Sequence, residues 1–107
     1  MGLLRRRAVG RPEPDDSCGP TVAIGAAEAR MPVRVVGQVS RMRARPTTGV
    51  PALAVTISDD TGSIVAVWTG RREIGGVTLG RRLLIEGVAL RRAGHLEFTN
   101  PAYTLLP

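Results

Sequence analysis

Arginine supplies most of the reactive chemistry in this chain. Arg41, Arg43 and Arg45 fall at alternate positions, and Arg91 and Arg92 stand together further on. A guanidinium group is always charged, presents a planar fork of donors that suits phosphate or carboxylate oxygens, and stacks on flat rings. In extended backbone, alternate side chains share one side of the pleat, so the first three would point the same way. Other groups offer less. Asp59 and Asp60 sit in a D-x-T-G sequence, where short oxygen-bearing side chains bond their own backbone, so turn chemistry explains them better than an acid/base or metal pair. One cysteine, Cys18, and one histidine, His95, cannot make an internal disulfide or a Cys/His zinc cluster. No nucleophile, base and orienting group converge. The expectation is a protein without catalysis, metal or cofactor.

The distribution of charge sharpens this. The formal net charge is +6, and all of the cationic charge is arginine, because the chain has no lysine. Residues 1–32 hold five arginines against four acids, whereas residues 33–107 hold ten against five, net +5. The part that reads as folded therefore carries the field, as expected of a domain that meets an anionic partner. A length of 107 residues allows one domain. No apolar run approaches the roughly 18 residues of a membrane span, and residues 1–10 lack the continuous apolar segment of a secretory signal, so the sequence reads as cytoplasmic with no membrane partner.

The elements that must position these arginines are strands. Residues 1–32 contain Pro12, Pro14, Gly19 and Pro20 and read as an irregular or partly disordered tail, with either a short helix or an extended lead-in over residues 21–31. Residues 33–45 form a long strand with Val33, Val35 and Val39 on one face, and Gly37 marks a bend in a strand shared between two halves of a barrel. Residues 52–69 form a hairpin: Leu53, Val55 and Ile57 alternate with Ala54, Thr56 and Ser58, the D-x-T-G turn follows, and Ile64, Ala66 and Trp68 alternate with Val65 and Val67. Residues 70–80 are a glycine-rich connection bracketed by Arg71-Arg72 and Arg81-Arg82, which read as solubilising. A fourth strand over residues 81–92 turns at Ala93-Gly94 into a fifth, with Leu96 and Phe98 inward and His95, Glu97 and Thr99 outward. Asn100-Pro101 bends the chain before Tyr103, Leu105 and Leu106 close it. The expected architecture is all-β, five strands in a small barrel, over residues 33–107.

The V-x-G-x-V of residues 35–39, the D-x-T-G turn followed by an apolar strand ending in Trp68, the G-R-x-L-x-I-x-G of residues 80–87 and the N-P-x-Y-x-L-L of residues 100–106 together resemble nucleic-acid-binding OB-fold domains. These include the wedge-like OB domain of replication-fork helicases and, most similar, the small stand-alone OB-fold proteins of actinobacteria. The match covers residues 33–106; residues 1–32 lack the basic amphipathic helix that such proteins often carry. The resemblance implies a five-stranded OB barrel in which the loops after strands one and four flank the face of strands two and three, where oligonucleotides bind. Arg41, Arg43 and Arg45 would then form one bank of a groove, Arg91 and Arg92 the other, and His95 a contact on the rim. Thr56, Val65 and Val67 would form an open floor for base faces. Trp68, Phe98 and Tyr103 read as core and closing contacts. The resemblance implies single-stranded DNA as the favoured partner, with RNA as the alternative, little sequence choice, and a role in DNA repair or replication. The competing expectation is a protein-interaction or homo-oligomerisation module, favoured by Val36, Val65 and Val67 and by the shortage of aromatic residues.

Overall fold

A computed structural model of the chain describes residues 20–45, 49–71 and 73–107. Arg5, Arg6, Arg7, Cys18 and Arg72 lie outside the described residues. Six strands follow one another: β1 (Pro32–Arg45), β2 (Ala52–Asp59), β3 (Gly62–Thr69), β4 (Arg82–Arg92), β5 (His95–Thr99) and β6 (Ala102–Leu105). Their order in the sheet is β1-β2-β3-β5-β4-β6, and β1 also pairs with β4, which closes five strands into a ring. The expected all-β closed sheet is therefore present.

The expected fifth strand is present as β5, and the closing segment after Asn100-Pro101 forms a sixth, short strand. β5 pairs with β4 through Ala89 and Phe98, and β6 pairs with it through Glu86 and Ala102, so two residues on β4, Gly87 and Val88, lie opposite three, Thr99, Asn100 and Pro101. One extra residue in the ladder is a bulge. It falls at Asn100 and Pro101, where Asn100 takes a left-handed φ of 50° and proline supplies no amide donor.

β1 is shared as expected. Its first half, from Pro32 to Gln38, pairs with β4, and its second half, from Gln38 to Arg45, pairs with β2. Gly37 sits beside this switch because nothing larger fits: a Cβ there would collide with the Ile57 side chain and lie 2.9 Å from the Ser58 carbonyl oxygen. The register slip itself falls one turn of the pleat later, between Val39 and Arg41.

The alternation seen in the sequence sorts the residues as predicted. Val33, Val35, Val39, Leu53, Val55, Ile57, Ile64, Ala66, Trp68, Leu83, Ile85, Leu96 and Phe98 all face one core. Trp68 is core and not a stacking platform: it is 5 % exposed, donates its indole N–H to the Pro101 carbonyl at 3.2 Å, and meets Tyr103 edge-on at 5.6 Å. The glycine-rich connection contributes Ile74 and Val77 to the same core.

Residues 20–31 are irregular except for one 3-10 turn at Ile24–Ala26, yet they are fastened to the ring. Ile24 is buried in the core, and the Val22 and Arg30 amides donate to the Arg34 and Ala89 carbonyls, both at 2.8 Å. Asp59 explains the remaining attachment. Its Oδ1 accepts from the Thr61 amide, the Thr61 hydroxyl and the Gly62 amide, while its Oδ2 accepts from the Ile24 amide at 2.9 Å. These donors, Ile24 foremost, lower its pKa from 3.8 to about 2. The turn carboxylate thus does structural work twice, bending the hairpin and holding the segment before β1.

Candidate nucleic-acid interface

Register decides which side chains share the outer surface of the ring. Arg41, Arg43 and Arg45 stand opposite Thr56, Ala54 and Ala52 of β2. Those three in turn face Val65, Val67 and Thr69 of β3. Val65 and Val67 pair in parallel with Glu97 and Thr99 of β5, and Glu97 pairs with Leu90 of β4. Directly paired residues lie on the same side of a sheet. Arg41, Thr56, Val65, Glu97 and Leu90 therefore form one row across the outer surface, with Arg43, Ala54, Val67 and Thr99 beside it. The three alternate arginines do point one way.

At the other side of this face, Arg92 pairs with His95 across a two-residue turn in which Ala93 and Gly94 have φ of 50° and 87°. Positive φ at both central residues is the type I′ signature, whose twist suits a hairpin. The turn puts Arg92 and His95 on the outer side with Leu90 and Glu97. Arg91, opposite the inward Leu96, emerges exposed at the rim, beside Arg30 and Leu90.

The two arginine groups meet at Glu97. An Arg45 terminal nitrogen donates to its Oε2 at 3.4 Å, the Arg92 Nε lies 3.8 Å from the same oxygen, and His95 Nε2 is 3.3 Å from Oε1. The Glu97 side chain is only 7 % exposed, whereas Arg45 and Arg92 are 42 % and 58 % exposed. A buried carboxylate therefore carries half-exposed cations from two distant parts of the sequence. Arg41, Arg43, Arg45 and Arg92 contribute four positive charges to this face around one negative, with Arg91 at its rim, which leaves the surface cationic.

The floor departs from the expectation. Thr56 and Val65 are partly accessible, but Val67 is 5 % exposed and forms a small buried cluster with Ala52 and Ala54, against which Val65 packs. In this arrangement Val67 is not an open contact for a base. β2 and β3 lie between β1 and β5, so the hydrogen bond from Arg45 to Glu97 spans the surface where these small apolar residues sit.

Sequence reasoning placed Glu97 outward but did not single it out. The signal was available in principle, because the tight turn after Arg92 fixes the pairing of Leu90 with Glu97 and makes that acid the centre of an arginine-bearing face. Arg34 and Glu86 were missed as well. They face each other across β1 and β4 at 3.6 Å, with side chains 10 % and 7 % exposed, on the part of the ring remote from Arg45. Arg81 turns to the chain's end, its Nε donating to the Leu106 carbonyl at 3.2 Å, away from the outer groove.

Among the described residues no group of three or more His, Cys, Asp or Glu could hold a metal ion, and no helix is long and apolar enough to cross a membrane. Neither the protein-family models nor the curated proteins contain a match to this chain.

Proposed function

We infer that this protein binds single-stranded nucleic acid, DNA in preference to RNA, without catalysis and with little sequence choice. The observation that carries this reading is the convergence of Arg45 and Arg92, from distant parts of the sequence, on one outer face that also bears Arg41 and Arg43. Guanidinium groups at that spacing track a phosphate backbone, while the small side chains between them leave room for bases. The resemblance to OB-fold domains supports the same face of β2 and β3 as the docking surface, with His95 at its rim. It also extends the proposal to a role in DNA repair or replication.

The test is retardation of a labelled thymidine homopolymer by the wild type and by the double variant Arg43→Glu plus Arg91→Glu at low salt. The wild type is expected to bind the single strand more tightly than the matching duplex, and the variant to lose binding. Equal binding by the two proteins would refute the groove.

A second reading rests on the apolar side chains at the β4 side of the same outer face. Met31, Val88 and Leu90 are 54 %, 49 % and 43 % exposed, and Val88 pairs with Pro32, the neighbour of Met31. Apolar side chains grouped in this way suit contact with another protein or a second copy of the chain. Sedimentation of the wild type against Val88→Glu distinguishes the two: a dimer that the substitution dissociates favours this second reading.

A further inference from the structure

We propose that the Arg45–Glu97–Arg92 contact is a latch over a base-binding strip made of Ala52, Ala54 and Val67, and that phosphate opens it by taking the guanidinium groups from Glu97. This rests on the nucleic-acid reading above and adds to it which surface receives the base and what covers that surface beforehand.

Three observations carry the inference. Ala52, Ala54 and Val67 lie on the outer side of β2 and β3, yet they are 3 %, 7 % and 5 % exposed, which an uncovered outer face does not produce. The side chain that bridges that face is Arg45, whose hydrogen bond reaches across both strands to Glu97. The bonds that hold the arm are loose: 3.4 Å to Arg45 and 3.8 Å to Arg92, with both arginines about half exposed to water and salt. Glu97 itself is buried and held on its other oxygen by His95, so when the latch opens the arginines move and the acid stays.

Phosphate competes well for such groups, because its oxygens present the same geometry to the guanidinium fork as a carboxylate does. A strand laid in the groove would draw Arg45 and Arg92 outward onto its backbone. The uncovered strip is narrow, flat and apolar, with alanine at two of three positions, so a planar base can lie directly on it. Thr56 and Val65 extend the strip along the neighbouring row. Glu97 is therefore a built-in competitor: it keeps the apolar strip from water in the empty protein and weakens binding by holding two cations.

The test has a ligand-free arm and a binding arm. In the first, a neutral paramagnetic relaxation agent is added to the methyl-labelled protein, and broadening of the Ala54 and Val67 methyl signals is compared among wild type, Glu97→Gln and Arg45→Ala. Both variants are expected to expose these methyls while the Ile57 and Val55 signals stay protected. Unchanged Ala54 and Val67 signals in Arg45→Ala, which alters a half-exposed side chain and leaves the core intact, would overturn the latch whether or not Glu97→Gln folds. In the second arm, the thymidine homopolymer is titrated into wild type and Glu97→Gln. The variant is expected to bind about three- to tenfold tighter at low salt, since two cations are released to the ligand. Equal or weaker binding by a folded Glu97→Gln would refute the competitor role. If the methyls open as expected but neither protein binds the oligonucleotide, the latch stands and the nucleic-acid reading fails.

Discussion

Two arginine–glutamate contacts in this molecule use the same chemistry for different ends. Arg34 and Glu86 face each other across β1 and β4 with both side chains nearly closed to solvent. Arg45 and Glu97 also join a β1 arginine to a buried acid, but the arginine is 42 % exposed and Arg92 shares the acid. In the first pair both side chains are nearly closed to solvent, so removing either takes a charge away from beside a buried partner. In the second only the acid is buried, and the cations can exchange one oxygen for another. Burial of the cation, and not the identity of the pair, separates a brace from a binding group.

The comparison is broken most severely at Arg34. Arg34→Ala removes the cation opposite the buried Glu86, and it should cost about 3 to 5 kcal/mol of stability by chemical denaturation. A loss below about 1 kcal/mol would place the two contacts in the same class. The reverse pattern belongs to the outer face. Arg43→Glu combined with Arg91→Glu should abolish oligonucleotide binding at low salt while changing stability by no more than about 1 kcal/mol, because both side chains are exposed.

Asp59 sharpens the comparison, since it is an acid held by hydrogen bonds instead of a cation. Its folded pKa of about 2 lies below the ordinary 3.8, so the stabilisation it gives is complete above about pH 4 and is lost as pH falls toward 2. Wild type should lose stability in that window, and Asp59→Asn, already lacking the charge, should lose less there. Parallel pH profiles would show that the Ile24 and Thr61 bonds do not favour the ionised form. The smallest effect is expected for Arg45→Ala, within about 1 kcal/mol of wild-type stability in the absence of ligand.

Much of this arrangement is legible in the sequence because strands and turns declare themselves locally. The alternation in residues 52–69 assigned Leu53, Val55, Ile57, Ile64, Ala66 and Trp68 to the core, where they are found. Ala93-Gly94 and the D-x-T-G sequence announced their hairpins, although Gly62 is not at positive φ and the second turn depends on the Asp59 carboxylate instead. Gly37 announced an anomaly in β1 but not its cause, which is the approach of Ile57 and Ser58 from another strand. The features that escaped are those that need register across distant segments. The docking of Ile24, the buried Arg34–Glu86 pair, the role of Glu97 and the covering of Val67 all depend on which residue of one strand faces which residue of another. Periodicity within a single strand carries no information about that. The face on which Val67 lies was readable, whereas its burial was not.

The most direct measurement is the affinity for a thymidine homopolymer as a function of salt. If about four arginines contact phosphate, the logarithm of the association constant should fall against the logarithm of salt concentration with a slope of about −3, from roughly −0.7 for each contact on a single strand. A flat response would contradict the account, because a groove whose affinity comes from guanidinium groups on phosphate cannot be indifferent to salt.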